Sequence, residues 1–235
     1  MNLPYNVKYT SRKTICIRVK FNGSIEVRAP IGTPASRIDK FYKEKENWII
    51  ETQTKQKKNF QEIGKLYKTN NIFEYGSKIT LLGKEFPIIG TSHNSDDYGY
   101  DGTKFYMPEN LTTDKIKFII FDIYKNIAIK YINKRVNYIK SLMNLEPTAV
   151  KINDAKTRWG SCSRKKVVNF SWLLIIAEDE VVDYVIVHEL SHFFEMNHSD
   201  RFWNIVGQVI PNYKEYRKKL LNLQTKLTLE GWYDL

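Results

Sequence analysis

The spacing of three histidines in the last quarter of the chain constrains its local structure more than any other sequence feature. Residues 188–192 read H-E-L-S-H, and His198 follows after five intervening residues. Histidines four positions apart lie one turn apart on the same face of an α-helix, so His188 and His192 can reach one metal ion. On a continuous helix His198 would lie about 240° around the axis from His192. The helix must therefore end between them if all three bind one ion, and we expect Asn197, which tolerates the left-handed conformation, to end it.

The glutamate beside the first histidine supplies a carboxylate that can act on a metal-bound water. Glu189 can reach a water bound to the metal without ligating the metal itself, which is the arrangement of H-E-x-x-H zinc hydrolases. Three histidine ligands with an open fourth position are what a catalytic zinc requires. Three of the four histidines lie within eleven residues, which favours a metal site over three buried structural histidines. We expect the fourth, His93, to be an ordinary surface residue.

The charge of the chain is unevenly distributed. The formal net charge of the 235 residues is +11, which invites a nucleic-acid interpretation. Residues 1–70 contain 15 basic and 6 acidic side chains, residues 111–143 contain 7 and 2, and residues 144–235 contain 12 of each. A nucleic acid would therefore meet the first two regions and not the histidine segment. A lysine-rich bias of the source proteome is the alternative explanation.

The lengths of the apolar stretches and the spacing of the two cysteines indicate the cellular compartment of the protein. No apolar stretch approaches the length of a membrane span, and the first residues lack the apolar core of a signal peptide. Cys16 and Cys162 are far apart in the sequence and form no C-x-x-C pair. Two isolated thiols do not make a disulfide framework. We therefore predict a cytoplasmic protein with no membrane partner.

Hydrophobic periodicity predicts an α+β fold whose first region, residues 1–110, is rich in β-strands and contains a helix. Asn22-Gly23 lies between two β-branched runs, which is the strongest short signal for a hairpin. A partial apolar stripe predicts a helix over residues 36–56. Further short strands are predicted near residues 78–82, 85–89 and 103–107, with a tight connection at Gly83-Lys84.

The second predicted region, residues 111–235, contains the histidine segment. Isoleucines at helical spacing predict a long helix over residues 112–143, followed by a β-hairpin with a basic turn. The histidine helix is predicted over residues 178–196. A C-terminal helix should begin at Ser199 as its cap and break at Pro211.

Further motifs give the chain a resemblance to a known family. K-T-R-W-G-S-C-S stands at residues 156–163, N-F-S-W at 169–172, D-Y-V-I-V-H-E-L-S-H at 183–192, and N-H-S with F-W within 197–203. With these blocks the sequence resembles the YgjP-like (SprT- or WLM-like) zinc metallopeptidases over nearly its whole length. Metzincins share the histidine spacing but have Gly where this chain has Glu195, so the turn before the third histidine must be built differently.

The resemblance implies a zincin-like catalytic domain of the gluzincin type over the second region. His188, His192 and His198 would be the ligands of Zn2+, and Glu189 the general base. Arg158 is a candidate contact to the oxyanion or to a substrate carboxylate, with a structural ion pair as the alternative.

Two classes of function remain open at this point. The first is a zinc-dependent metallopeptidase that hydrolyses peptide bonds of a protein or peptide substrate. The second is a DNA-associated binding protein with a structural or vestigial zinc site, or a peptidase recruited to DNA-bound proteins. Glu189 favours catalysis, since a structural site does not need that carboxylate. The sequence contains no zinc-finger spacing or helix-turn-helix signature that would favour the second class.

Overall fold

The computed structural model confirms the mixed α+β composition, with three small sheets and six α-helices among the described residues. The described residues are 4–19, 23–66, 72–92 and 97–233. The chain forms two compact units, residues 1–69 with 224–232 and residues 70–223 with 233–235. A catalytic domain that begins at residue 111 stays a prediction, since compactness does not show which residues a reaction needs.

The first unit is built on a three-stranded sheet. Its strands are β1 (Asn6–Thr10), β2 (Cys16–Val19) and β3 (Ile25–Pro30). The central strand β3 pairs in parallel with β1 and antiparallel with β2. The antiparallel pair confirms the predicted hairpin strands, although Asn22 of the predicted turn lies outside the described residues. The sequence predictions did not include β1, a five-residue strand whose side chains are exposed or only partly buried.

The helix predicted over residues 36–56 is two helices, α1 (Ala35–Glu44) and α2 (Glu46–Leu66). Lys45 separates them with φ −107° and ψ 7°, outside the helical range. Of the apolar residues along this segment, Ile38 and Ile49 are each 1% exposed, whereas Trp48 is 48% exposed. The buried cluster of this unit contains six residues, Tyr5, Ile25, Val27, Ala29, Ile38 and Ile49.

The second unit begins with a four-stranded sheet in the order β4-β5-β7-β6. The strands are β4 (Lys78–Leu81), β5 (Lys84–Thr91), β6 (Gly99–Tyr100) and β7 (Phe105–Pro108). Three of them match the predicted short strands to within a few residues. The two-residue strand β6 is absent from the sequence predictions, since it lies in a stretch rich in polar residues, Gly and Asp.

The long helix α3 (Thr113–Leu142) confirms the prediction for residues 112–143. Its apolar residues are buried on one side at helical spacing, as a helix packed against a core requires. Three of its bases form ion pairs, Lys125 with Asp154, Arg135 with Asp183 and Lys140 with Glu146. Within the described part of the chain, neither α3 nor any other helix has the length and apolar character needed to cross a bilayer.

The third sheet and the last helices carry the histidine segment. The sheet contains β8 (Ala149–Asn153), β9 (Gly160–Cys162) and β10 (Val167–Ser171) in the order β8-β10-β9. β9 and β10 form the predicted hairpin. The helices are α4 (Asp179–Ser191), α5 (Asp200–Val209) and α6 (Tyr213–Leu229). The break between α5 and α6 lies at Pro211, as predicted.

The turn between β4 and β5 packs against the start of α4. Leu82 and Gly83 both have positive φ, 49° and 73°, which is the geometry of a two-residue hairpin turn. Their amides donate to the carbonyls of Ile175 and Ile176 at 2.7 and 3.3 Å. A β-carbon on Gly83 would lie 2.6 Å from Cγ of Glu178, the N-cap of α4. Glycine at this position therefore allows the hairpin to approach the helix that carries the histidines.

We predict that Gly83→Ala destabilises the protein more than Gly76→Ala. Both glycines have positive φ, but a β-carbon on Gly76 meets no atom within 4 Å. Each change therefore carries a backbone penalty of about 1 kcal/mol, and Gly83→Ala adds an overpacking cost of about 1–3 kcal/mol. Urea unfolding of the two variants measures the difference. Equal free energies of unfolding would contradict the proposed close approach of the turn to Glu178.

Candidate metal centre

The site is built on the end of α4. The helix ends at Ser191, with His192 as its C-cap, five residues earlier than the sequence predicted. Backbone amides of Phe193 and Phe194 donate to the carbonyls of Leu190 and Ser191 at 3.0 and 3.1 Å, which tightens the turn that follows. This turn redirects the chain and brings the third histidine back to the helix.

The predicted role of Asn197 in ending the helix is wrong. Asn197 is not among the residues with positive φ, and the helix has already ended before it. Its side-chain oxygen instead accepts a hydrogen bond from the amide of Ser199 at 2.9 Å. Ser199 is the N-cap of α5, as predicted, and its hydroxyl accepts from the amide of Phe202 at 3.4 Å. Asn197 and Ser199 therefore start the next helix.

The three histidines of the motif lie together. Their candidate ligand atoms are all within 4.8 Å of one another, and Nε2 of His188 is 3.0 Å from Nε2 of His198. Two ring nitrogens that face each other at this distance either share one proton or direct both lone pairs at a cation. A tetrahedral zinc with Zn–N bonds of about 2.0–2.1 Å would hold its nitrogens about 3.4 Å apart. The donor set therefore fits a zinc ion with small adjustments.

Different contacts orient the first two imidazoles. Nδ1 of His192 is 3.0 Å from the carbonyl oxygen of Glu195. Because a carbonyl only accepts, Nδ1 carries the proton and Nε2 keeps its lone pair, as in many metal-binding histidines. Nδ1 of His188 is buried and has no hydrogen-bond partner among the described residues. Packing rather than hydrogen bonding therefore orients His188.

The aromatic pair at the start of α5 supplies that packing. Phe202 is completely buried, and its ring centroid lies 4.9, 4.6 and 4.8 Å from those of His188, His192 and His198. Trp203 stacks on His198 at 5.7 Å with an angle of 26° between the rings. Phe202 and Trp203 therefore anchor the turn that carries the third histidine.

Burial affects the protonation of two of the histidines. Removal from water, together with the neighbouring histidines and Arg217, lowers the pKa of His188 to about 3. Burial, His192 and Arg217 also lower the pKa of His198. Neutral imidazole is the form that binds a metal. His188 and His198 are therefore held in the metal-binding protonation state at neutral pH.

Glu189 lies beside the cluster in a nearly closed environment. Its side chain is 6% exposed, and burial raises its pKa to about 8, against the lowering effect of Arg158. A β-carbon on Gly160 would lie 2.6 Å from Cγ and 2.7 Å from Oε1 of Glu189. Glycine in the W-G-S block therefore makes room for this carboxylate beside strand β9, a role that the sequence motif alone did not indicate.

The other residues singled out in the sequence have different positions. Arg158 is exposed and close enough to Glu189 for its charge to affect that carboxylate. Cys162 is partly buried beside the site, and burial followed by the charge of Glu189 raises its pKa to about 11. Tyr184 is 4% exposed and packs near His188. His93 lies outside the described residues.

Sequence reasoning missed Arg217. This residue lies on α6, 25 positions after His192, and no short motif links the two. Its guanidinium is 5.2 Å from the centroid of Trp203, the ring that stacks on His198. Only the packing of α6 against α5 brings a second arginine to the histidine side of the site.

The burial of Glu189 leads to a prediction about the stability of the metal-free protein. Glu189 ionises near its ordinary pKa of 4.5 when unfolded but near 8 when folded. Wild type should therefore lose stability relative to Glu189→Gln as the pH rises from about 4.5 to about 8, by a few kcal/mol. Urea unfolding with a chelator at several pH values measures this difference. Glu180→Gln, at an exposed position of the same helix, is the matched control, and a stability difference independent of pH would contradict the burial.

Comparison with known proteins identifies the family. The family model described as "YgjP-like, metallopeptidase domain" matches residues 13–223. No curated protein matches the sequence. Among solved structures, the metallopeptidase zymogen abylysin of Pyrococcus abyssi is 23% identical, over 41% of this chain and 95% of its own, with a TM-score of 0.37. The metallopeptidase zymogen jannalysin of Methanocaldococcus jannaschii is 27% identical, over 38% and 93%, with a TM-score of 0.35.

The likeness to these two solved structures is too slight to assign the chain to a family. The assignment rests on the match to the family model. That model spans most of the chain, including the histidine helix, the strand that contacts Glu189 and the helix that carries Arg217. Membership implies a peptidase that uses a metal ion and acts on proteins or peptides. The chain belongs to the YgjP-like metallopeptidase family.

Proposed function

We propose that the protein is a zinc-dependent peptidase whose metal is held by His188, His192 and His198. The observation that carries this proposal is the convergence of three imidazoles, with ligand atoms within 4.8 Å of one another, beside a buried carboxylate. Nitrogen ligands from three histidines suit zinc, and a fourth position left to water or substrate is the feature that separates catalytic from structural zinc sites. A purely structural site would have no use for Glu189.

Zinc bound there would lower the pKa of a coordinated water towards neutrality, and its charge would favour the ionised carboxylate of Glu189. Glu189 then accepts the proton of the water that attacks the peptide carbonyl carbon. The same carboxylate returns the proton to the amide nitrogen as the C–N bond breaks. The products are a carboxylate and an amine, and no other redox or group-transfer partner is needed.

The surroundings of Glu189 support this role. Burial destabilises the ionised carboxylate, so its affinity for a proton is raised towards the value that suits a base near neutral pH. Gly160 leaves the carboxylate room on the side of β9. We further propose that Arg158, which lies near Glu189, contacts the developing oxyanion or a substrate group. The nucleic-acid surface predicted from residues 1–70 and 111–143 stays a prediction, as does the cytoplasmic location.

We expect the purified protein to contain about one zinc per chain, and His198→Ala to lose most of it. Removing one of three ligands weakens a zinc site by orders of magnitude. His93→Ala removes the fourth histidine and is the matched control. Elemental analysis after dialysis against a weak chelator measures the metal content. Full zinc occupancy in His198→Ala would contradict its role as a ligand.

We expect Glu189→Gln to keep its zinc and to lose peptide cleavage by at least about a hundredfold, because the amide cannot accept the proton. Glu180→Gln, an exposed change on the same helix, should cleave like wild type. Mass spectrometry of a mixture of synthetic peptides, incubated with each zinc-loaded protein, measures the cleavage. Equal cleavage by wild type and Glu189→Gln would remove the proposed base.

A further inference from the structure

Trp203 links Arg217 to the candidate metal centre. Its indole stacks on His198 at 5.7 Å and on Tyr213 at 5.1 Å, with angles of 26° and 12° between the rings. The guanidinium of Arg217 lies over the same indole, 5.2 Å from its centroid. Tyr213 and Arg217 are four residues apart and so lie on the same face of α6. The cation is thereby held in a defined place by an aromatic surface.

No carboxylate of the described residues forms an ion pair with this cation. Among the described residues Arg217 forms no ion pair, and its side chain is exposed. Two acids of the histidine helix region are already engaged, Asp183 with Arg135 and Glu178 with Lys219. The contact with the indole is a cation–π interaction and not a hydrogen bond, so the N–H groups of the guanidinium stay able to bind a planar anion in a bidentate manner.

We propose that Arg217 binds a carboxylate of the peptide substrate at the His198 side of the metal centre. The carboxylate is either the C-terminus of the peptide or the side chain of an Asp or Glu close to the scissile bond. The exposure of Arg217 favours such a group over the oxyanion, whose stabilisation depends on exclusion of water. This inference rests on the proposed peptidase function and adds a substrate class to it, namely peptides with a carboxylate near the cleaved bond.

The test uses synthetic hexapeptides made in four forms with the zinc-loaded protein. One pair differs by a C-terminal acid or amide, and a second, amidated pair differs by an internal Glu or Gln. In wild type we expect kcat/KM for the acid member of one pair to exceed that of the amide member about tenfold, as a charge-assisted bidentate contact at an exposed position allows. The pair that shows the preference identifies the source of the carboxylate.

Arg217→Gln should abolish this ratio through a rise in KM for the acid peptide. Arg217→Lys should retain part of it, because lysine keeps the charge but not the bidentate geometry. Lys218→Gln, which removes the same charge from the next position of α6, should retain the wild-type ratio. A wild-type ratio in Arg217→Gln would overturn the proposal. An equal loss of kcat on acid and amide peptides would also overturn it, since Arg217 would then act at the reaction centre.

A binding measurement tests this inference independently of the proposed peptidase activity. Titration calorimetry of the same peptides with zinc-loaded Glu189→Gln, alone and combined with Arg217→Gln, requires no turnover. Tighter binding of an acid peptide that disappears in the double variant would support the carboxylate site even if wild type cleaved nothing. In that case the peptidase proposal would fail alone. Equal binding of acid and amide peptides to Glu189→Gln would overturn the role of Arg217.

Discussion

The early end of α4, directly after Ser191, is the constraint on which the rest of the site depends. Had the helix continued, His198 would face away from His188 and His192, and no single ion could reach all three. The ending frees the chain to turn within a few residues and places the carbonyl of Glu195 where it accepts a hydrogen bond from Nδ1 of His192. The same reversal brings Phe202 into the centre of the cluster, where one buried ring contacts three imidazoles. Helix termination and aromatic packing therefore cooperate to form the donor set.

The site has two electrostatically distinct sides. On one side Glu189 is enclosed between α4 and β9, where Gly160 leaves it room and Arg158 supplies a nearby positive charge. On the other side the histidines lie against Phe202 and Trp203, with the cation of Arg217 beyond the indole. Burial favours the neutral forms of both the carboxylate and the imidazoles. A bound dication would be compatible with neutral imidazoles and would restore the ionised carboxylate, so the arrangement is matched to a metal and not to a proton.

The folded structure accounts for part of the net charge of +11, because some of the basic residues form ion pairs within the protein. Part of the basic excess on α3 is used within the second unit, since Lys125, Arg135 and Lys140 each pair with an acid. The Arg135–Asp183 pair joins α3 to the histidine helix with a bond of 2.7 Å from Nε and is half-buried. Such a pair positions α4 at least as much as it adds stability, because desolvation offsets much of its Coulomb attraction. Arg135 of α3 therefore helps to position the helix that carries the histidines.

The sequence by itself determined the long helix, the hairpins, the cap at Ser199 and the chemistry of the histidine motif, because each depends on residues close together in the chain. Spacing along one helix is enough to predict that His188 and His192 share a face. The tertiary structure decided what separate segments contribute: the residue at which α4 stops, the fit of Gly160 against Glu189, and the approach of Arg217 through Trp203. It also corrected the role of Asn197, whose side chain serves the following helix. Packing between distant elements sets these features, and packing has no periodicity that a single sequence can display.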